Sequence, residues 1–237
     1  MSKRRSWLVA PVSNPELVAR ASKSGADVVV LDLAEFVVEA DREAARAGFA
    51  QALQTIAAGG AEVFAQVDPT VMPDDLEACV HPGLAGIVVS RAESTGEIAE
   101  ADEVLTRLEA ERGIAPGTVK IVAAVETARG NHVAADIARA SPRVCALTLG
   151  RADLIMDLRP EPSAEIHLLP YLMQRLIIIA GAAGVTPLGA WWRAPDRGLH
   201  ATADNTYAAG HRGRAIGFKG AFCLVEDQVS ALNRAYS

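Results

Sequence analysis

Residues 120–153 read KIVAAVETARGNHVAADIARASPRVCALTLGRAD. Two apolar runs, Lys120–Val125 and Val144–Leu149, stop at Glu126 and at Gly150-Arg151-Ala152-Asp153. Between them Val133, Ile137 and Ala138 fall on one side of a helical spacing. The order is strand, loop, helix, strand, loop. Short β-branched runs bounded by turn signals predict strands buried on both faces, as in parallel sheets. Parallel neighbours place Glu126 and Asp153 at carboxyl ends on one rim, where parallel α/β folds keep their chemistry. Taken singly, Glu126 reads as well as a cap for the following helix, and Asp153 as a solvated turn residue. Together, at matching positions on successive strands, they favour a site. Two carboxylates facing one pocket repel unless a cation, a proton or a basic group compensates them. A hard divalent ion such as Mg²⁺, with Mn²⁺ as a substitute, is the usual answer.

The rest of the chain bounds this reading. Its 237 residues are half hydrophobic and carry a formal net charge of −6. That length suits one α/β domain of TIM-barrel size, about 250 residues. No long basic run stands in the sequence, so no nucleic-acid surface is expected. The basic start Met1-Ser2-Lys3-Arg4-Arg5 lacks the apolar region of a secretory signal. The apolar runs fall well short of the ~20 residues of a membrane span. Cys79, Cys145 and Cys223 are scattered, and no two have metal-ligand spacing. A reduced, cytoplasmic protein is the expectation.

Turn and cap signals divide the remaining sequence. Strands are predicted at 6–12, 27–33, 62–68, 86–91, 120–125, 144–149, 186–192 and 219–225. A first helix opens at Asn14-Pro15-Glu16, and others are predicted at 41–58, opened by Asp41, at 74–80 and at 94–112. Another lies between strands five and six. Helix 164–183 carries Pro170, which predicts a kink or a fresh start there, and helices at 200–216 and 226–236 follow. Eight strands alternating with about eight helices predict a closed (β/α)₈ TIM barrel, one domain over residues 1–237, rather than an open sheet.

Each strand's carboxyl end can then be searched for chemistry. Strand two ends in Asp32-Leu33-Ala34-Glu35, and strand three in Gln66-Val67-Asp68-Pro69. Strand four ends in Ser90-Arg91, strand five in Glu126 with Thr127, Arg129 and Gly130 behind it, and strand six in Arg151 and Asp153. Strand eight ends at Glu226. A rim of Asp32, Glu35, Glu126 and Asp153 with Arg91, Arg129 and Arg151 suits an anionic substrate bridged to a metal. Each arginine alone reads more simply as a solvated surface group.

These residues resemble the citrate lyase β-subunit-like family within the HpcH/HpaI aldolase superfamily, from about Ser6 onward. The pieces are Gly25-Ala26-Asp27 with Leu31-Asp32-Leu33, Ala92-Glu93-Ser94, Val125-Glu126-Thr127-Ala128-Arg129-Gly130, Ala135-Asp136-Ile137-Ala138, Gly150 with Asp153-Leu154, and Gly217-Phe218. The resemblance implies a TIM barrel with Glu126 and Asp153 as Mg²⁺ ligands. It implies cleavage or formation of carbon–carbon bonds beside a carbonyl, commonly in 3-hydroxyacyl-CoA thioesters. Asp32, Glu35 and Arg91 become the candidate catalytic groups, and Gln66, Arg129 and Arg151 the candidate substrate-binding groups.

The sequence also departs from that pattern. The family's Asp-Leu-Glu-Asp reads Asp32-Leu33-Ala34-Glu35 here. Its strand-three arginine, which grips a keto acid's carboxylate, aligns with Gln66, and its Asn two residues later with Asp68. Its Pro-Lys aligns with Ser90-Arg91 and its His-Pro with Val225-Glu226. An arginine-to-glutamine change removes a bidentate carboxylate clamp. Asp68 and Glu226 are expected to add negative charge to the rim. These changes point away from citryl-CoA and toward another hydroxy or oxo acid, free or as a CoA thioester. A competing expectation is a non-catalytic or regulatory relative whose site has drifted. A homo-oligomer, trimeric or hexameric, is expected from the resemblance, with Trp191, Trp192 and the apolar helix 164–183 offering surface to bury.

Overall fold

Eight parallel strands close on themselves in sequence order in the computed structural model, which describes residues 3–150, 154, 157–158, 165–190 and 202–237. The strands are β1 Ser6–Pro11, β2 Val28–Asp32, β3 Glu62–Val67, β4 Leu84–Val89, β5 Lys120–Val125, β6 Val144–Leu149, β7 Thr186–Ala190 and β8 Gly220–Cys223. Parallel pairing runs from β1–β2 round to β7–β8, and β8 closes on β1 through Trp7 and Phe222. The helices are α1 Pro15–Ala21, α2 Arg42–Ala58, α3 Met72–Cys79, α4 Thr95–Glu111, α5 Ala128–Ile137, α6 Glu165–Ala183, α7 Ala203–Ile216 and α8 Asp227–Ala235. None of these described helices is long and apolar enough to cross a membrane.

The strands are apolar along most of their length because both of their faces are buried, with polar residues such as Glu62, Lys120, Asp32 and Gln66 at or near their ends. Val28, Val30, Phe64, Val88, Val122, Ala124, Ala146 and Phe222 pack inside the barrel. Their neighbours Val29, Leu31, Val63, Ile87, Val89, Ile121, Ala123 and Leu147 pack outward against the helices. The strand period of two makes this division. Large rings fill the lower interior: Trp7 meets Phe64 edge-on at 4.8 Å and stacks on Phe222 at 5.3 Å. Gly86 makes that possible, since a Cβ there would overlap the Phe64 ring.

Local signals set the helix starts. Asn14 accepts from Leu17 N–H at 3.1 Å, and Pro15 occupies the first turn of α1. Ser94 and Glu97 form a reciprocal capping box on α4. Asp41 does not cap α2 as predicted; it ends a 3₁₀ turn, Glu39–Asp41, and makes no side-chain capping bond. Helix α6 runs through Pro170 as one element. Strand four begins two residues earlier than predicted and stops before Ser90, because Arg91 turns into the left-handed region with φ +46°. Strand two starts at Val28, since Asp27 bonds the Arg5 guanidinium instead. Strand eight is confined to Gly220–Cys223. Of strand 186–192, residues 191–192 lie outside the described residues, as do 164 and 200–201 of the predicted helices.

At the amino end of β5 and β6 a buried ion pair joins the layers. Glu109 of α4 is fully buried, and Arg143 is 5% exposed. The Arg143 guanidinium donates to both Glu109 oxygens at 2.8 and 2.7 Å, to Asp102 at 2.5 Å and to Thr106 at 3.0 Å. Glu109 also accepts from Gly117 and Val119 N–H, each at 2.8 Å. Burial pushes the Glu109 carboxyl up, but Arg143 and these two N–H groups outweigh it and hold it below its usual value of 4.5. Removing one partner strands the other charge. Arg143→Met is therefore expected to cost about 3–5 kcal/mol, read as a fall of about 10 °C in Tm. A depressed carboxyl stabilises the fold above its unfolded value and loses that effect as pH falls through the folded one. The Tm gap between wild type and variant should narrow as pH drops below 4.5; a pH-independent gap would contradict this account.

Candidate active site

The same period of two brings chemistry to the upper rim. Inward positions continue from Val30 to Asp32 on β2, from Phe64 to Gln66 on β3, and from Val88 to Ser90 beyond β4. They continue from Ala124 to Glu126 beyond β5, and from Ala146 through Thr148 to Gly150 beyond β6. Gln66, Ser90, Glu126 and Thr148 are all buried. A narrow cavity of about 10 Å³, room for about one water, is lined by Glu35, Gln66, Glu126, Thr148 and Gly150 above the Phe222 ring.

Glu126 is 6% exposed, and one carboxylate oxygen accepts the Arg91 N–H at 2.7 Å. It does not cap α5. That role falls to Thr127, whose hydroxyl accepts from Gly130 N–H at 3.0 Å, so Glu126 is left to the cavity. Gly150 supplies the room: a Cβ there would overlap Glu126 Cγ and stand 2.9 Å from Oε1. Gly130 does the same for the rim loop, where a Cβ would overlap the Ala92 carbonyl. The Arg91 side chain is exposed; its backbone N–H makes the contact with Glu126.

Asp32 is fully buried, and its two oxygens accept from Ala34 at 3.0 Å, Glu35 at 3.1 Å and Phe36 at 2.7 Å. Burial raises its carboxyl pKa, and these three N–H groups and Arg42 oppose the rise. These bonds shape the loop that carries Glu35 and Phe36 to the lip. Glu35 is exposed at that lip and accepts from Gln66 Nε2 at 3.2 Å. Gln66 also donates to Ser90 Oγ at 2.9 Å. Arg129 is exposed in the first turn of α5. Arg151 and Asp153 lie outside the described residues.

Two expected contributions to rim charge are compensated. Asp68 accepts from Arg42 at 2.9 Å and from Thr70 N–H and hydroxyl at 3.0 and 2.8 Å. Burial pushes its carboxyl up, but these partners prevail and hold it low. Glu226 pairs with Arg20 at 2.7 Å. Sequence reasoning missed Thr148 and the space-making role of Gly150, although counting by twos from Ala146 finds both.

The donors around Glu126 are hard oxygens, those of Glu126, Glu35, Thr148 and Gln66, a set that fits Mg²⁺ or Mn²⁺ and not a soft metal. Among the described residues, no three His, Cys, Asp or Glu side chains cluster closely enough to hold a metal by themselves. Such a site therefore requires further oxygens, from water or substrate or from a residue beyond those described.

The arrangement is testable without any ligand. In Gly150→Ala and in Glu126→Ala the Arg91 amide loses its acceptor. It is expected to exchange with deuterium at least about tenfold faster than in wild type, matching a lost bond to a charged group. Unchanged protection of that amide would show that Glu126 does not hold the turn.

The sequence matches the HpcH/HpaI aldolase/citrate lyase family over residues 5–225. The citrate lyase subunit beta of Leuconostoc mesenteroides subsp. cremoris is 30% identical over 185 residues, which are 77% of this chain and 61% of that protein. The chain thus spans about six tenths of that relative's length. The citrate lyase subunit beta-like protein of Mycobacterium tuberculosis is 29% identical over 241 residues, covering 97% of this chain and 78% of that one. Among solved structures, the CitE protein of Mycobacterium tuberculosis in complex with magnesium and acetoacetate superposes with a TM-score of 0.75 at 25% identity. That superposition covers 99% of this chain and 91% of the other.

Proposed function

The chain belongs to the HpcH/HpaI aldolase/citrate lyase family, and we propose that its barrel mouth is a Mg²⁺-dependent carbon–carbon lyase site. The substrate is a hydroxy or oxo acid, or its acyl-CoA thioester, other than citryl-CoA. The observation that carries the reading is Glu126. It is a buried carboxylate at the end of β5, relieved of capping by Thr127, given room by Gly150 and fixed by the Arg91 N–H. Glu126 and Asp153 would hold the ion. When bound, it supplies Lewis-acid stabilisation of the oxyanion that builds as a bond beside a carbonyl breaks. The chain's own groups do the rest. The Arg91 N–H orients the Glu126 carboxylate. Asp32 positions the lip through three backbone bonds. Phe222 and Val88 keep the cavity floor apolar and exclude water below the reacting atoms.

The thioester form draws support from a second cavity of about 160 Å³ beside the mouth, lined mainly by apolar groups of β1, α1 and the segment that follows β8. Val9 and Phe36 line both cavities, so an acyl chain's apolar arm could lie there while its carbonyl faces Glu126. The wider reading takes residues 1–237 as one barrel domain, cytoplasmic, that acts as a homo-oligomer, a trimer or a multiple of one. A non-catalytic relative is the second reading; the observation favouring it is Gln66, whose N–H groups are engaged within the protein.

Calorimetry separates these. Mg²⁺ should bind the wild type and bind the Glu126→Ala/Asp153→Ala variant at least about a hundredfold more weakly, since losing even an outer-shell partner of a metal costs about 10–100-fold. Equal binding would refute the assignment. Light scattering should give a trimer or its multiple at micromolar concentration, and a monomer would contradict that part.

A further inference from the structure

Gln66 is the polar group whose hydrogen bonding says most about what enters the mouth. It is 4% exposed, on the inner face of β3, and lines the same cavity as Glu126. Its amide nitrogen has two hydrogens. One is given to Glu35 Oε2 at 3.2 Å and the other to Ser90 Oγ at 2.9 Å. A carboxylate oxygen only accepts, so the contact with Glu35 fixes the amide: nitrogen toward Glu35 and Ser90, oxygen on the other branch. Among the described residues none donates to Gln66 Oε1. An amide oxygen is an acceptor and carries no charge.

We propose that Gln66 is a specificity-determining residue and that the substrate group it meets is a hydroxyl donor, not a carboxylate. The inference rests on the reading of the mouth as a keto-acid lyase site and narrows that site's substrate class. A second substrate carboxylate brought to this wall would face Gln66 Oε1, an uncharged acceptor that cannot neutralise it. An unpaired charge in such a place is costly. The nearby cation of α2, Arg42, is already held by Asp68 and Glu39, each at 2.9 Å. A hydroxyl instead donates to the amide oxygen and satisfies it. The selection is asymmetric, because an acceptor that a bound ligand covers and leaves unmatched is what penalises the wrong ligand.

Pyruvate, hydroxypyruvate and oxaloacetate share one α-keto acid head and differ in what the third carbon carries: hydrogen, hydroxyl or carboxylate. Each is titrated by calorimetry into the full chain with saturating Mg²⁺. Hydroxypyruvate is expected to bind about tenfold more tightly than pyruvate, the scale of one good hydrogen bond, and oxaloacetate more weakly than pyruvate. In Gln66→Met, which removes both amide groups at similar volume, hydroxypyruvate should fall to pyruvate's level. In Gln66→Arg the order should reverse in favour of oxaloacetate. If either variant fails to melt cooperatively, the wild-type order decides alone. Tightest binding of oxaloacetate by the wild type would overturn this inference and leave the lyase reading standing. A hydroxypyruvate preference that survives Gln66→Met would do the same. Binding of Mg²⁺ with none of the three acids would overturn both.

Discussion

One backbone contact, Arg91 N–H to Glu126 at 2.7 Å, ties the end of β4 to the end of β5 and fixes the carboxylate around which the mouth is built. It exists because Arg91 sits at φ +46°, where a side-chain-bearing residue pays roughly 1–2 kcal/mol. Strain of this kind persists only where surrounding structure over-determines it, and it gathers at functional sites. Here three neighbours do the determining. Gly150 leaves space for the Glu126 side chain, Thr127 takes over the helix cap, and Gly130 lets the β4 loop pass close by. Changing any one alters where the carboxylate stands.

The barrel separates this strained end from a stable one. At the amino end, Arg143, Glu109 and Asp102 form a hydrogen-bonded charge network, and Trp7, Phe64 and Phe222 pack the interior. Among the described residues no catalytic candidate stands there. At the carboxyl end, inward positions turn polar one step beyond the last apolar layer: Gln66 above Phe64, Glu126 above Ala124, Thr148 above Ala146. Between the two ends the strands are apolar on both faces, which is why one fold can carry a polar mouth on a firm base.

Most of the architecture was legible in the sequence because parallel strands buried on both faces read as unbroken apolar runs. Runs such as Val28–Asp32 and Lys120–Val125 fell almost where predicted. Strand four did not, because the left-handed turn at Arg91 leaves no mark in composition. The position of Glu126 was legible by its place after a strand, while its freedom from capping was not, since that depends on the Thr127 hydroxyl. Asp32 was legible as a rim acid, yet its three backbone bonds, which make it a loop former, depend on the path of residues 34–36. Ion pairing of Asp68 with Arg42 and of Glu226 with Arg20 joins residues 26 and 206 positions apart, beyond the reach of any local pattern.

The central claim is that Glu126 is the β5 ligand of a catalytic divalent ion. Crystals grown with Mn²⁺ and a keto acid, measured for anomalous scattering at the manganese edge, test it directly. The account predicts one strong anomalous peak bonded to the Glu126 carboxylate, with the keto acid's oxygens completing its shell and the peak absent from Glu126→Ala crystals. A peak elsewhere in the barrel, or none while the Arg91 N–H still holds Glu126, would contradict it.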